Sequence, residues 1–88
     1  MKNREIATPQ VVNKLADQKY KVLCYFEGKI VRTLYHIIKV ENDKKYGYFV
    51  FHQKIYHHEI IFVIRYKEVD KIEIIDKDNN RKEMTSDD

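Results

Sequence analysis

The chain has 88 residues, of which 43% are apolar and 35% charged, with 17 Lys and Arg against 14 Asp and Glu. A chain of this length forms one domain with one small core, which leaves little room for a deep catalytic cleft. Dedicated nucleic-acid binders usually have a clearer excess of basic residues than this chain has. The charge balance therefore permits a polyanion partner but does not indicate one.

The cysteine count and the start of the chain bear on the compartment. The single cysteine, Cys24, allows no internal disulfide and no cysteine-based zinc cluster, which is typical of a reducing compartment. No apolar segment resembling a signal peptide follows Met1–Glu5, and no stretch approaches the roughly 20 apolar residues of a membrane span. We therefore expect a cytoplasmic protein with no membrane partner.

The N-terminal part of the chain predicts one short helix. Residues 1–7 are expected to form a flexible lead-in, and Thr8-Pro9 is a favourable helix start because Thr caps and Pro suits the first helical position. The helix extends to about Gln18 and needs a surface on which to dock, since an isolated helix of this length is marginal. Its apolar stripe consists of Val11, Val12 and Leu15.

From Lys19 the pattern changes to the alternation of β-strands. Residues 19–26 predict a strand, 27–29 a tight turn in which Gly28 supplies a positive φ, and 30–40 a long second strand. The alternation breaks at Ile37-Ile38, which indicates a bulge or strong bend. Residues 42–45 predict a second turn, and 46–52 a third strand with Gly47 as a candidate bulge.

The densest apolar run, Ile60–Ile64, predicts a fourth strand that is buried on both faces. It is reached through a link at 53–58 and followed by a polar corner, Tyr66–Asp70, and a short fifth strand, Lys71–Ile75. Residues 77–88 are expected to be a disordered polar tail, with a last hairpin turned by Asp78–Asn80 as the alternative.

These elements predict a mainly β fold with one N-terminal helix, formed by a single domain over residues 8–76. Roughly five strands joined by short turns must pair antiparallel, because parallel neighbours need long crossovers. We predict a strongly bent sheet closed into an SH3-like small barrel, with an open α+β meander as the alternative.

The element order also resembles a known group. Helix, strand, glycine turn, long bent strand, two strands, corner and short strand over residues 8–76 resemble the Sm-like small β-barrels. The segment Ile64–Ile72 is similar to the closing segment of that group and of the bacterial YolD-like proteins. This resemblance implies assembly by strand addition between subunits. The chain keeps Gly28 and has Asn42-Asp43 in a turn, but no glycine follows Arg65, so no uridine-binding residue is carried over.

The residue types needed for catalysis are not grouped in the sequence. The four histidines are scattered, and the adjacent His57 and His58 would point to opposite faces of a strand. Cys24 lies between apolar neighbours, as a buried structural cysteine does. With only Gly28 and Gly47, there is no glycine-rich phosphate loop. We expect no enzymatic activity, no metal and no cofactor.

Tyrosine is the unusual component, with seven residues and no tryptophan. Tyr46 and Tyr48 share one face of the third strand, opposite to Phe49 and Phe51. The cationic candidates Lys44, Lys45, His52 and Lys54 lie close to them along the chain. Such a surface suits a protein interface, a nucleic-acid platform or simple sheet stabilisation. The candidate binding residues are Tyr46, Tyr48, Lys44, Lys45, Lys54 and His52.

Two functions follow as hypotheses. The first is a small regulatory module that binds a protein partner or itself through a strand edge and the tyrosine face. The second is a nucleic-acid-binding regulator that uses the tyrosines and lysines.

Overall fold

The structure is a computed structural model that describes residues 19–88, and this part of the chain is all-β. Short turns join the strands. Two of these turns have only two residues, and the first, Glu27-Gly28, has φ of 51° and 82°. The positive φ expected at Gly28 is therefore confirmed. The strands are β1 (Tyr20–Phe26), β2 (Lys29–Asp43), β3 (Tyr48–Ile55), β4 (His58–Arg65), β5 (Lys71–Ile75) and β6 (Arg81–Thr85).

All six strands belong to one antiparallel sheet with the order β4-β3-β2-β1-β5-β6. The predicted closed five-stranded barrel is wrong, because β6 occupies the outer side of β5 and, within residues 19–88, β4 and β6 do not pair. The alternative was right that the sheet is open but wrong in its meander order, since β5 pairs with β1 and not with β4. No helix occurs in the described residues, and the helix predicted over 8–18 lies outside them.

The corner Tyr66–Asp70 nevertheless makes the sheet curl. It connects β4 to β5, which are four strand positions apart, or about 19 Å across a flat sheet. The corner is wound rather than extended, because the Arg65 carbonyl accepts hydrogen bonds from the amides of Glu68 and Val69 at 2.9 and 3.0 Å. A curled sheet brings its ends closer and forms a core on its inner face without a second layer.

The core lies on this inner face, to which alternate residues of the strands point. Phe49 and Phe51, expected in the core from the alternation of the third strand, are fully buried there. Leu34, Phe62, Tyr66 and Met84 pack around the rim of the core and are half-buried. The other fully buried side chains include Val22, Cys24, Ile37, Val40, Val69 and Ile72.

A bulge in β2 confirms the irregularity predicted from the broken alternation. Tyr20 pairs with Ile37 and Val22 with Leu34, so β2 has one residue more than β1 in this interval. His36 lies in that interval and has a φ of 60°. A second register shift, in the pairing of β2 with β3, falls between Ile37 and Lys39. These shifts let one long strand pair with β1 in its first half and β3 in its second.

The C-terminal residues form a hairpin, which was the alternative to a disordered tail. The Asp76 side chain accepts hydrogen bonds from the amides of Asp78 and Asn80 at 2.8 and 2.9 Å, which fixes the turn. Asn79 there has a φ of 66°, a conformation that asparagine tolerates. Gly47, expected within a strand, also lies in a turn, just before β3, with a φ of 77°.

Within residues 19–88 there is no helix that could cross a bilayer.

Candidate protein-interaction surface

The predicted binding residues lie on and beside the outer face of β3, the face opposite to the core. Tyr48, His52 and Lys54 point outward because they alternate with the buried Phe49 and Phe51. Tyr48 and Lys54 are six residues apart on the strand, or about 20 Å. The structure therefore does not bring Lys54 next to the tyrosines.

Tyr46 and Tyr48 form the aromatic part of this surface. Their rings are nearly parallel, with centroids 6.2 Å apart and an angle of 16°. Tyr46 is 64% exposed, and the Lys45 amine lies 5.3 Å from its ring centroid. Lys44, in the same turn, donates instead to the Asp87 carbonyl at 2.9 Å. This turn thus presents a stacked tyrosine pair with one cation against it.

His52 connects three strands on the outer face. Its Nδ1 lies 3.1 Å from Glu59 of β4, and its Nε2 lies 3.1 Å from Glu41 of β2. The hydrogen bond with His52 is the main reason that the pKa of Glu41 lies below its usual value. Lys39, 3.6 Å from Glu41, acts in the same direction. Two carboxylates therefore stand beside the histidine that was expected to add positive charge.

The charge of the whole outer face is consequently mixed. Beside β3, the neighbouring strands place Glu41 and Asp43 on one side and Glu59 on the other. These carboxylates separate the tyrosine pair from Lys54. A phosphate backbone following β3 would pass close to them, which opposes the electrostatic attraction that nucleic-acid binding requires.

The feature that the sequence analysis missed is the exposure of β4. Ile60, Ile61 and Val63 are 46%, 60% and 49% exposed, so the prediction of a strand buried on both faces is wrong. The reason is position: within residues 19–88, β4 has β3 as its only neighbour and forms one end of the sheet. An apolar run of this kind has the same composition in a strand with one neighbour as in a strand with two, so the sequence carries no signal of this position.

The backbone groups of β4 alternate between β3 and the open side. Tyr66 N–H donates to the Gly47 carbonyl at 3.0 Å, which continues the register in which Ile64 pairs with Phe49. Residues 60, 62 and 64 therefore exchange hydrogen bonds with β3. The intervening residues turn their N–H and C=O groups away from it. We call this row, formed by Glu59, Ile61, Val63 and Arg65, the β4 edge.

The opposite end of the sheet differs in character. β6 has the sequence RKEMT, in which Arg81, Lys82 and Glu83 are exposed. Charged residues on an end strand discourage pairing with another chain. The β4 edge has apolar residues at its centre and charges only at its two ends, so of the two ends of the sheet it is the one suited to pairing.

The cysteine and histidine residues considered for catalysis do not lie together in the fold. Cys24 is fully buried, and burial raises the pKa of its thiol to about 11 despite the opposing effect of Arg32. His57 and His58 lie at the exposed tip of the β3–β4 hairpin. Among residues 19–88, no group of three His, Cys, Asp or Glu side chains is arranged to hold a metal ion.

Comparison of the chain with protein-family models finds no matching family. Comparisons with curated proteins and with solved structures also find no significant match. The resemblance to Sm-like and YolD-like proteins therefore stays a prediction.

Proposed function

We propose that this protein is a non-enzymatic interaction module that binds a protein strand, from a partner or from another copy, along the β4 edge. The observation that carries the proposal is the exposure of Ile61 and Val63 on an end strand whose outward N–H and C=O groups have no strand beside them in residues 19–88. An added strand would satisfy these backbone groups and cover the apolar side chains.

The tyrosine pair supports the same surface. Tyr48 pairs with Arg65 across β3 and β4, and Val50 pairs with Val63. The outer face is therefore continuous from the stacked tyrosines to the β4 edge. Tyrosine contributes large contact area and a hydrogen-bonding hydroxyl at low entropic cost, which suits a protein interface.

Two features support binding rather than catalysis. The thiol of Cys24 is held protonated in the core, where it is not nucleophilic. Both ring nitrogens of His52 lie 3.1 Å from carboxylates of the same chain, and its side chain is only 14% exposed, so a substrate has little access to them.

Nucleic-acid binding is the second candidate function. The stacked Tyr46 and Tyr48, with Lys45 over a ring, are the observation that favours it. The carboxylates of Glu41 and Glu59 oppose it. Salt separates the two functions, because phosphate contacts weaken steeply as ionic strength rises.

Retention experiments with a matched pair of variants test the proposal. Val63→Lys places a charge on the β4 edge, whereas Val31→Lys makes the same change on β2 at a residue that is 50% exposed, against 49% for Val63. Because both sites are half-exposed, we expect both variants to fold with stability changes of about 0.5 kcal/mol or less.

Each immobilised protein is incubated with an extract of the source cells and with its own soluble chain, at low and high salt. We expect protein retention by wild type and Val31→Lys that persists in high salt and is lost in Val63→Lys. Equal retention by the two variants would overturn the proposal. Retained nucleic acid that is released by salt and unaffected by Val63→Lys would favour the second function.

A further inference from the structure

The β4 edge is complementary to itself. Read along the strand, its outward residues are an acid, two apolar residues and a base: Glu59, Ile61, Val63 and Arg65. When such a strand meets a second copy running antiparallel, the acid of each copy faces the base of the other. We propose that the strand bound at this edge is β4 of a second copy, in a two-fold dimer; this inference rests on the proposed function.

The backbone pattern selects the register of the dimer. Residues with outward N–H and C=O groups must pair with one another, which restricts the pairing to shifts of two residues. With Phe62 on the two-fold axis, Ile61 pairs with Val63 of the second copy, and Glu59 pairs with Arg65. A shift in one direction places Val63 opposite Glu59, and a shift in the other places Ile61 opposite Arg65. Only the central register matches charge with charge and apolar with apolar.

The inner face agrees with the same register. Ile60 and Ile64 point to that face and become cross-strand partners, and the two copies of Phe62 meet at the axis. Phe62 is half-buried and stacks on Phe51 at 5.4 Å, so the second copy would extend an existing aromatic contact. At the ends, the Arg65 carbonyl already accepts bonds from the corner. The end pair therefore depends on the Arg65 N–H and on the two charged side chains.

A two-fold pairing is closed, because the same edge is used by both copies. Pairing β4 with β6 of another copy would instead leave a free edge at each end and build filaments. That arrangement would place the apolar pair Ile61 and Val63 beside the charged strand Arg81–Thr85, which is a poorer match.

Charge reversal tests the register directly. Glu59→Arg places two arginines opposite each other at each end of the dimer, and Arg65→Glu places two glutamates there. Each variant alone should lose self-association. An equimolar mixture should form a heterodimer, because every end pair is then one arginine and one glutamate. Recovery on mixing also shows that both variants are folded.

Glu41→Arg is the matched control for Glu59→Arg. Glu41 and Glu59 each contact one nitrogen of His52 at 3.1 Å, but Glu41 lies on β2, away from the β4 edge. Both substitutions remove a contact to the histidine, and only one changes the edge. Glu41→Arg should therefore associate like wild type.

The measurement is sedimentation velocity of the full chain over a range of concentrations at low salt. We expect a monomer–dimer equilibrium for wild type, at least a tenfold weaker dimer for Glu59→Arg and Arg65→Glu, and recovery in their mixture. A monomeric wild type, single variants that associate like wild type, a mixture that stays monomeric, or species that grow beyond a dimer would each overturn the inference.

These outcomes are distinct from failure of the proposed function. If wild type is monomeric but retains a protein that Val63→Lys does not retain, the β4 edge binds another protein and only the dimer is refuted. If Val63→Lys and Val31→Lys also behave alike, the edge itself is refuted.

Discussion

Cys24 shows how a single residue reports on the core. Burial raises the pKa of its thiol from 9.0 to about 11, so the unfolded chain loses this proton at a lower pH than the folded protein does. The thiol therefore contributes stability that is fully present below pH 9 and is lost as the pH rises toward 11. The resulting decrease in the free energy of unfolding is at most about 3 kcal/mol. We expect the free energy of unfolding, measured by urea denaturation, to fall more steeply over this range in wild type than in Cys24→Ala. Equal slopes, or rapid labelling of the folded thiol at neutral pH, would contradict its burial.

At the scale of the element, β3 and β4 differ although both are rich in apolar residues. β3 lies between two strands, and β4 has one neighbour in residues 19–88. Phe51 is fully buried, whereas its stacking partner Phe62 is half-buried. We expect Phe51→Ala to lower the free energy of unfolding by about 3–5 kcal/mol and Phe62→Ala by about 2 kcal/mol, both measured by urea denaturation of dilute protein. A loss for Phe62→Ala as large as that for Phe51→Ala would show that a further layer covers β4.

For the whole molecule, the sequence predicts individual strands and turns better than it predicts which strands lie side by side in the sheet. The strand β5 and the turn at Gly28 were predicted correctly, because their signals are contained within a few residues. The position of β4 was not, since an apolar run such as Ile60–Ile64 has the same composition whether its strand has one neighbour or two. The strand β6, which occupies the outer side of β5 in the open sheet, was not predicted either, because its short polar sequence carries no periodic apolar signal.

The candidate site shows the same division. Alternation along one strand is enough to place Tyr48 and His52 on the face opposite to Phe49. The carboxylates beside His52 belong to β2 and β4, and their position next to the histidine depends on the register of three strands. A surface that looks basic in the sequence is therefore mixed in the folded chain.

Amide hydrogen exchange, followed by NMR, tests the sheet and its open edge together. In dilute protein, the amides of Phe62 and Ile64 should exchange slowly because they bond to β3, whereas those of Ile61 and Val63 should exchange rapidly because they face solvent. β1, which has strands on both sides, supplies the slowly exchanging reference. Raising the concentration should protect Ile61, Val63 and Arg65, whose amides face the second copy, if β4 pairs with β4. Uniform exchange along β4 would refute the alternation of its backbone hydrogen bonds between β3 and the open side. Protection of Ile61 and Val63 in protein that sedimentation shows to be monomeric would mean that another part of the same chain already occupies the β4 edge, and a second chain could not then bind there.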